Sequence, residues 1–342
     1  FYYTTTGWMM WNWLVGGLAT GSSIFLFDGS PTYPKLDILL EYCQNKKFNL
    51  FGVSAKYIDH LRNEKFNSKN LNLNSVKIIT STGSPLSEES FKYIYENIKE
   101  DVHLASIAGG TDLVGCLVLG NLYSNVYKGE IQGQSLGIDV DVFTEDGKTA
   151  KEGEKGELVV KQPFPSMPIK FWGDKNGEKY HKAYFTKFNN IWHHGDFIER
   201  TSNNGFIVRG RSDSTLNPGG VRIGTAEIYQ QVEDIDFVTE GLIVGQNYND
   251  DVRIVLFITT KNNVNLDSKK IKLIKEKIKK NCSPKHVPSK IIKAPEIPRT
   301  KSGKIVELAV KKIINGEQIN NKEAIANPDC LNFFKNLKEL YE

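Results

Sequence analysis

What this sequence lacks narrows it first. Its four cysteines, Cys43, Cys116, Cys282 and Cys330, lie far apart and form no C-x-x-C pair. Neither a zinc site nor a disulfide framework is implied, and scattered thiols fit a reducing compartment, so a cytoplasmic location is expected. No apolar run reaches the ~20 residues of a membrane span. The opening stretch Phe1–Leu18 has no basic n-region and is rich in Thr and Trp, so it does not read as a signal peptide. There is no paired-cysteine finger, helix-turn-helix pattern or aromatic-rich RNA signature, which leaves nucleic acid without support as a partner. A G-x-x-x-x-G-K-[ST] phosphate loop is absent as well. The chain begins with Phe inside what reads as structured sequence, so a fragment of a longer protein is expected.

What is present is ordinary in bulk and pointed in detail. A length of 342 residues suits two domains. The net charge of +4 is mild, but much of the lysine lies between Ser268 and Lys312. Such a local basic face suits a phosphorylated small molecule. The most informative stretch is Gly210–Ile228, where Arg211 and Arg222 flank the turn Asn217-Pro218-Gly219-Gly220 and a helix start is expected at Thr225. Glycine allows close backbone approach to a ligand, and arginine offers fork-shaped donors for phosphate or carboxylate. An ordinary surface loop between two strands would look the same in isolation.

Along the chain, Trp8–Ala19 is apolar almost all round and predicts a buried helix, with Trp8, Trp11 and Trp13 read as packing. Strands are expected at Ser23–Phe27, Phe51–Val53 and Val76–Ile79, and helices at Leu36–Cys43 and Glu88–Ile98. Strand, glycine-rich turn and helix in repetition argue for an α/β layer, whose ligands sit at the carboxyl ends of strands. That singles out Thr82-Gly83-Ser84 and Gly109-Gly110-Thr111-Asp112. From Val114 to Arg209 short strands and turns predict a mostly antiparallel region. Beyond Asp213, helices at Glu227–Val232, Leu266–Lys280 and Ile305–Ile314 alternate with strands at Val238–Val244, Ile254–Thr259 and Ile291–Ile292, a small α+β domain. Ile271, Ile274 and Ile278 share one helix face.

Several stretches could meet a nucleotide. Gly110-Thr111-Asp112 offers amides, a hydroxyl and a carboxylate, and a carboxylate can hold magnesium. Trp192-His193-His194-Gly195-Asp196 offers a carboxylate after a glycine turn, suited to the two hydroxyls of ribose. His193 and His194 are neighbours on an extended segment and point oppositely, so a shared metal is not expected. Pro298-Arg299-Thr300-Lys301-Ser302-Gly303-Lys304 concentrates charge and glycine, so Lys304 can present a mobile cation. Each of these is also common as a plain turn.

Taken together and in order, they resemble the adenylate-forming superfamily of acyl-CoA synthetases, peptide-synthetase adenylation domains and luciferases. Arg211–Ile228 resembles its hinge motif, Pro298–Ile305 its C-terminal lysine motif, and Gly110-Thr111-Asp112 its Thr-Glu motif with Asp for Glu. Trp192–Asp196 resembles its aromatic-x-x-Gly-Asp motif. Tyr3–Trp13, Phe27–Pro31, Lys161–Pro168 and Ala326–Pro328 are most similar to its acetoacetate-activating branch.

The resemblance implies an α/β plus α+β protein: residues 1–212 as the C-terminal part of the large AMP-binding domain, and 213–342 as a small mobile domain carrying the catalytic lysine. It implies ATP, Mg2+ and coenzyme A as substrates and metal, no prosthetic group, and acetoacetate as the acid. Lys304 would bridge carboxylate and phosphate, Thr111 would hold the α-phosphate and Asp112 the magnesium. Gly83, Ser84 and Pro85 would line adenine, with Gly110 beside the phosphates. Asp196 would hold ribose, Arg211 ribose or phosphate, and Arg222 phosphate. Asp213 would be the hinge, Gly219, Gly220 and Lys279 would meet CoA, and Lys304 would be open to acetylation. Trp8, Met9 and Gly109 would border the acyl pocket, where relatives specialised for acetate place a bulky Trp at the position of Gly109. The superfamily's pyrophosphate loop would lie N-terminal to Phe1, so the chain alone is expected to be inactive. Another short-chain acyl-CoA synthetase (propionyl, acetyl or branched), or a non-catalytic nucleotide-binding module, would share much of this pattern.

Overall fold

Residues 50–54 and 78–82 combine large apolar residues with Gly, Ser and Thr and show no period-two alternation, as strands buried on both faces do. In the computed structural model they are β1 (Leu50–Ser54) and β2 (Ile78–Thr82), paired in parallel with β3 (His103–Ser106) in the order β1-β2-β3. The structure describes residues 1–249, 251–261, 264–301, 303–319, 322–335 and 337–341. Contacts divide them into two units, one of Phe1–His194 with Ile198–Ile207, the other of Gly195–Phe197 with Val208 onward.

The first unit opens with α1 (Met9–Gly16) and α2 (Ile38–Lys46). After β1 comes α3 (Ala55–Asn63), started by Ser54, whose hydroxyl accepts the Tyr57 amide at 3.2 Å. After β2 comes α4 (Glu88–Tyr93), started by Ser87 accepting the Ser90 amide at 3.2 Å. Leu39, Leu40, Ile58, Leu61, Ile79, Phe91 and Leu104 fill the core between sheet and helices. Two β-rich parts follow. Strands β4 (Ala108–Gly110), β5 (Gly115–Leu119) and β6 (Gly133–Gln134) form an antiparallel sheet. Strands β7 (Val140–Phe143), β8 (Lys155–Val160), β9 (Trp192–Arg200) and β10 (Phe206–Arg211) form a second sheet in the order β10-β9-β8-β7. Between β8 and β9 lies α5 (Glu178–Tyr184).

The second unit continues with α6 (Thr225–Val232), β11 (Val238–Tyr248), β12 (Asp251–Thr260), α7 (Ser268–Asn281), β13 (Lys290–Lys293) and α8 (Glu307–Ile314). Period-two alternation sorts its sheet. Leu242, Val244, Val255 and Phe257 face a cluster with Val310 and Ile314 of α8. Ile243, Ile254, Leu256 and Ile258 face the other way, toward Ile228 and Val232 of α6 and Ile274 and Ile278 of α7.

Three expectations are corrected. Ser23–Phe27 is not a strand: it pairs with no neighbour among the described residues, and Phe25 and Phe27 pack their rings on Phe48 and Tyr42 instead. The helix near Trp8–Ala19 is buried only at Met9 and Met10, while Trp13, Val15 and Leu18 are 37%, 39% and 55% exposed. Met9 and Met10, with Trp8 and Leu14 beside them, pack with Ala105 and Ile107, so all-round apolarity did not translate into all-round burial. Trp192–Asp196 is not a turn but lies within β9, with Gly195 at φ 84° inside the strand. Helix α5 buries only Tyr184 and carries too little apolar periodicity to be foreseen, whereas α3 went unread although Ala55, Ile58 and Leu61 recur at helical spacing. Among the described residues no helix is long and apolar enough to cross a membrane.

Candidate active site

In the first unit, the ends of β2 and β3 bring the two expected loops side by side. The Thr82 hydroxyl donates to the Ile107 carbonyl at 2.8 Å, and the Ile107 amide to the Ser81 carbonyl at 2.9 Å. Gly83, Ser84 and Pro85 follow, all exposed. Gly83 has φ 94°, a left-handed backbone that glycine adopts without steric cost, and the Trp8 ring lies 3.7 Å from where a Cβ would stand. Met9 is buried with Tyr2, Ala105 and Ile107. Trp8 and Met9 therefore reach the ends of β2 and β3, as an acyl pocket there would require.

Gly109 does not leave the open space expected from the missing indole. A Cβ on it would lie 2.1 Å from the Gly115 carbonyl oxygen and 2.6 Å from Cys116 Cα. Backbone of β5 occupies that side, so glycine is what permits the β4–β5 pairing. Gly109→Trp is accordingly expected to destabilise the protein by at least 1–3 kcal/mol, as forced overpacking does, on an order-of-magnitude basis. Thermal unfolding checks this; an unchanged Tm with a shift in acid preference would restore the pocket reading. Burial also pushes the neighbouring Cys116 thiol up to about 12, which makes it a poor nucleophile.

Gly110, Thr111 and Asp112 close the β4–β5 turn, with Thr111 and Asp112 exposed. Asp112 Oδ2 accepts a short hydrogen bond from the Tyr184 hydroxyl at the end of α5. Its Oδ1 turns back over Gly110, 2.1 Å from where a Cβ would stand, with the His194 ring 3.0 Å from the same point. Tyr184 stacks on Trp192 with ring centres 3.6 Å apart and an angle of 13°. Trp192 in turn donates through Nε1 to His194 Nδ1 at 3.4 Å. His193 points the other way, to the fully buried Glu157 at 3.0 Å, which also receives Lys187 at 2.5 Å. The two histidines therefore share no ligand, and among the described residues no group of three metal-binding side chains occurs. Tyr184 went unread because only its place in α5, seventy-two residues from Asp112, gives it a role.

In the second unit, Asp196 is 8% exposed and accepts Arg211 Nη1 at 3.2 Å, while Arg211 Nε lies 3.8 Å from Asp213 Oδ1. Arg222 stacks its guanidinium 4.5 Å above the Phe197 ring. The Lys304 loop is closed on itself more tightly than a mobile charge requires. The Thr300 amide donates to the Lys304 carbonyl at 2.8 Å, and the Lys304 amide to Thr300 Oγ1 at 3.1 Å. Ser302 lies outside the described residues. Lys304 keeps an exposed surface. Burial nevertheless pulls its ammonium below the usual lysine range, Asp196 opposes this, and Arg211 adds to it. A lysine, a carboxylate and an arginine thus act on one another, an arrangement suited to negative phosphate.

The CoA candidates divide. The Gly219 amide donates to Asp251 at 2.9 and 3.1 Å, and Lys285 Nζ lies 3.1 Å from where a Gly219 Cβ would stand. Gly220 follows in the same short turn. Lys279 instead lines a groove on α7 with Ile271, Lys272, Lys275 and Val287. Lys285 is the cation nearest this turn that sequence reading missed; its proximity depends on the α7–β13 connection. The string Gly133-Gln134-Ser135-Leu136-Gly137 spells the hydrolase G-x-S-x-G, yet it forms no nucleophile elbow. Ser135 Oγ donates to the Cys116 carbonyl in a β-rich sheet, with no helix following.

Residues 2–167 match the AMP-binding enzyme family. The acetoacetyl-coenzyme A synthetase of Rhizobium meliloti (strain 1021) is 54% identical over 99% of this chain and 52% of its own length. The acetoacetyl-CoA synthetase of Gallus gallus is 43% identical over 99% of this chain and 51% of its own. The chain thus spans about half the length of the curated relatives it matches. Among solved structures, acetoacetyl-CoA synthetase from Streptomyces lividans superposes with a TM-score of 0.92 at 38% identity, covering 100% of this chain and 53% of that one. An anthranilate CoA ligase shares the fold, with a TM-score of 0.69 at 20% identity over 83% of this chain and 53% of that one. On these matches residues 2–167 are similar to AMP-binding enzymes, and the chain along its length is similar to acetoacetyl-CoA synthetases.

Proposed function

We propose that the protein containing this chain is an acetoacetate–CoA ligase. ATP and acetoacetate give acetoacetyl-adenylate and diphosphate, and the CoA thiol then displaces AMP. The observation that carries this reading is the mutual placement of Lys304, Asp196 and Arg211, which matches what adenylate formation needs. Negative charge spreads over phosphate oxygens in that step, so fixed cations do most of the work. Lys304 bridges acid and phosphate, Asp196 and Arg211 hold the ribose side, and Arg222 supports phosphate. Gly83, Ser84 and Pro85 line adenine, and Gly110 and Thr111 meet the α-phosphate. The relatives named for acetoacetate support the acid, and Trp8 and Met9 border its pocket.

Asp112 would hold magnesium, which when bound would supply charge neutralisation for the ATP phosphates. Asp112 fits that ion because Tyr184 engages one of its oxygens while the group as a whole stays exposed, and Mg2+ bound to phosphates commonly takes a single protein carboxylate. Asp213 serves as the joint between residues 1–212 and the mobile part from 213 onward. After the swing, Gly219 and Gly220 face the CoA tunnel, with Lys279 toward the nucleotide end of CoA. Acetylation of Lys304 would remove the charge the first step needs.

The test is AMP release by the full-length protein with ATP, magnesium and CoA, comparing acetoacetate, acetate, propionate and 3-hydroxybutyrate. Acetoacetate is expected to lead by at least ~10-fold in kcat/KM, a pocket-scale difference. Activity led by another acid would keep the ligase chemistry and discard the acid named. No AMP release with any of them would remove the ligase reading and favour a non-catalytic module.

A further inference from the structure

We propose that Glu307 is a positioning residue that fastens α8 and the Lys304 loop to the segment after Asp213, so that any swing of the lysine is taken up at or before Asp213. The inference rests on the ligase reading for its catalytic meaning, while the fastening itself stands on geometry. Glu307 is the first residue of α8, three positions after Lys304. Its Oε1 accepts the Tyr229 hydroxyl of α6 at 2.5 Å. That hydroxyl also accepts the Ile243 amide of β11 at 3.0 Å. Ser214 and Thr225 stand near enough to the same carboxylate to pull its proton affinity down. One side chain thus joins α8 to α6, and through the Tyr229 hydroxyl to β11, both of which follow Asp213 in the chain.

Burial raises the proton affinity of Glu307, and its hydroxyl partners pull against that. A carboxylate placed among hydroxyls is an expensive way to fill space, and an apolar residue would pack there at lower cost. What it supplies is direction, because each hydroxyl bond holds one element at one angle. A second tether lies one turn along the same helix face, where Lys311 Nζ donates to the Asp213 carbonyl at 3.0 Å.

Ser214 shows how the joint could turn without releasing the lysine. Its Oγ donates to the Arg211 carbonyl at 3.1 Å, across Asp213. A hydroxyl has a single proton to give. On this proposal a turn at Asp213 would break that bond and leave the proton free for the nearby Glu307 carboxylate. The segment from Ser214 therefore moves with Lys304.

The experiment uses the full-length protein and two half-reactions, adenylate formation by pyrophosphate exchange and thioester formation from supplied acyl-adenylate. Glu307→Ala is expected to slow the first roughly 30-fold, the scale of a small misplacement of a catalytic group, and the second less than about threefold. Glu307→Gln, which can keep bonds to the hydroxyls, should recover most of the loss. Hydrogen exchange at the Ile243 amide and across Ser214–Thr225 should quicken in Glu307→Ala and stay near wild type in Glu307→Gln. Should Glu307→Ala fail to fold, Tyr229→Phe leaves the ring in place and is expected to move the same readouts in the same direction. Equal loss of both half-reactions, or unchanged exchange at Ile243, would overturn the proposal. If the wild type forms no adenylate with any acid, the ligase reading fails, and hydrogen exchange alone still decides whether the fastening exists.

Discussion

Lys304→Ala in the full-length protein is expected to lower adenylate formation by about 10²–10³-fold while leaving thioester formation from supplied adenylate within a few-fold of wild type. The magnitude is that of removing one preorganised charge from a developing phosphate or oxyanion. The asymmetry follows from geometry. Lys304 acts with Asp196 and Arg211, which the proposed ligase reading assigns to the nucleotide step, whereas the Gly219 turn is held separately by Asp251. Pyrophosphate exchange and single-turnover thioester formation read the two steps. Equal loss in both would remove the two-arrangement role of Lys304.

The same lysine carries a pH signature. Burial, and after it Arg211, lower its proton affinity, while Asp196 raises it. Adenylate formation needs the charged form, so its rate should fall as pH rises through a value below that of an ordinary lysine. Asp196→Asn removes the raising influence and should move this alkaline limb to lower pH. The position of the limb, rather than its height, is the readout, since the proposed reading also gives Asp196 a part in binding. A limb that stays in place would mean that Lys304 is not the titrating group.

Asp213→Pro is expected to cut overall turnover at least ~10-fold while sparing one of the two half-reactions, because a gating motion would then limit the cycle. Proline holds φ near −65° and restricts the preceding residue, here Ser212. The substitution leaves the Asp213 carbonyl that Lys311 grips, but it removes the carboxylate beside Arg211. Arg211 keeps Asp196, so the nucleotide side is not dismantled with the joint. Overall turnover with CoA, set beside the isolated half-reactions, separates these effects. Unchanged turnover would place the joint elsewhere.

Much of this was readable one stretch at a time. Local chemistry in the sequence is sufficient for the parallel strands β1 and β2, for the start of α6 at Thr225, and for the apolar face of α7 with Ile274 and Ile278. Short-range periodicity and capping dictate such elements, and short-range motifs likewise marked Gly83, Gly110–Asp112 and Lys304. What escaped was decided by partners far along the chain. Nothing near Gly109 reveals that β5 backbone fills the space beside it. The bond from Tyr184 to Asp112 spans 72 residues, and that from Tyr229 to Glu307 spans 78. The apolar run after Trp8 predicted burial, but burial needs a surface to pack against, and of its residues only Met9 and Met10 are fully buried. By itself the sequence determined which chemistry is present and in what order, because composition and spacing are local properties. Tertiary structure alone decided which groups meet, which cations share a carboxylate and which glycine is closed off, because those outcomes depend on the close approach of segments that the chain keeps apart.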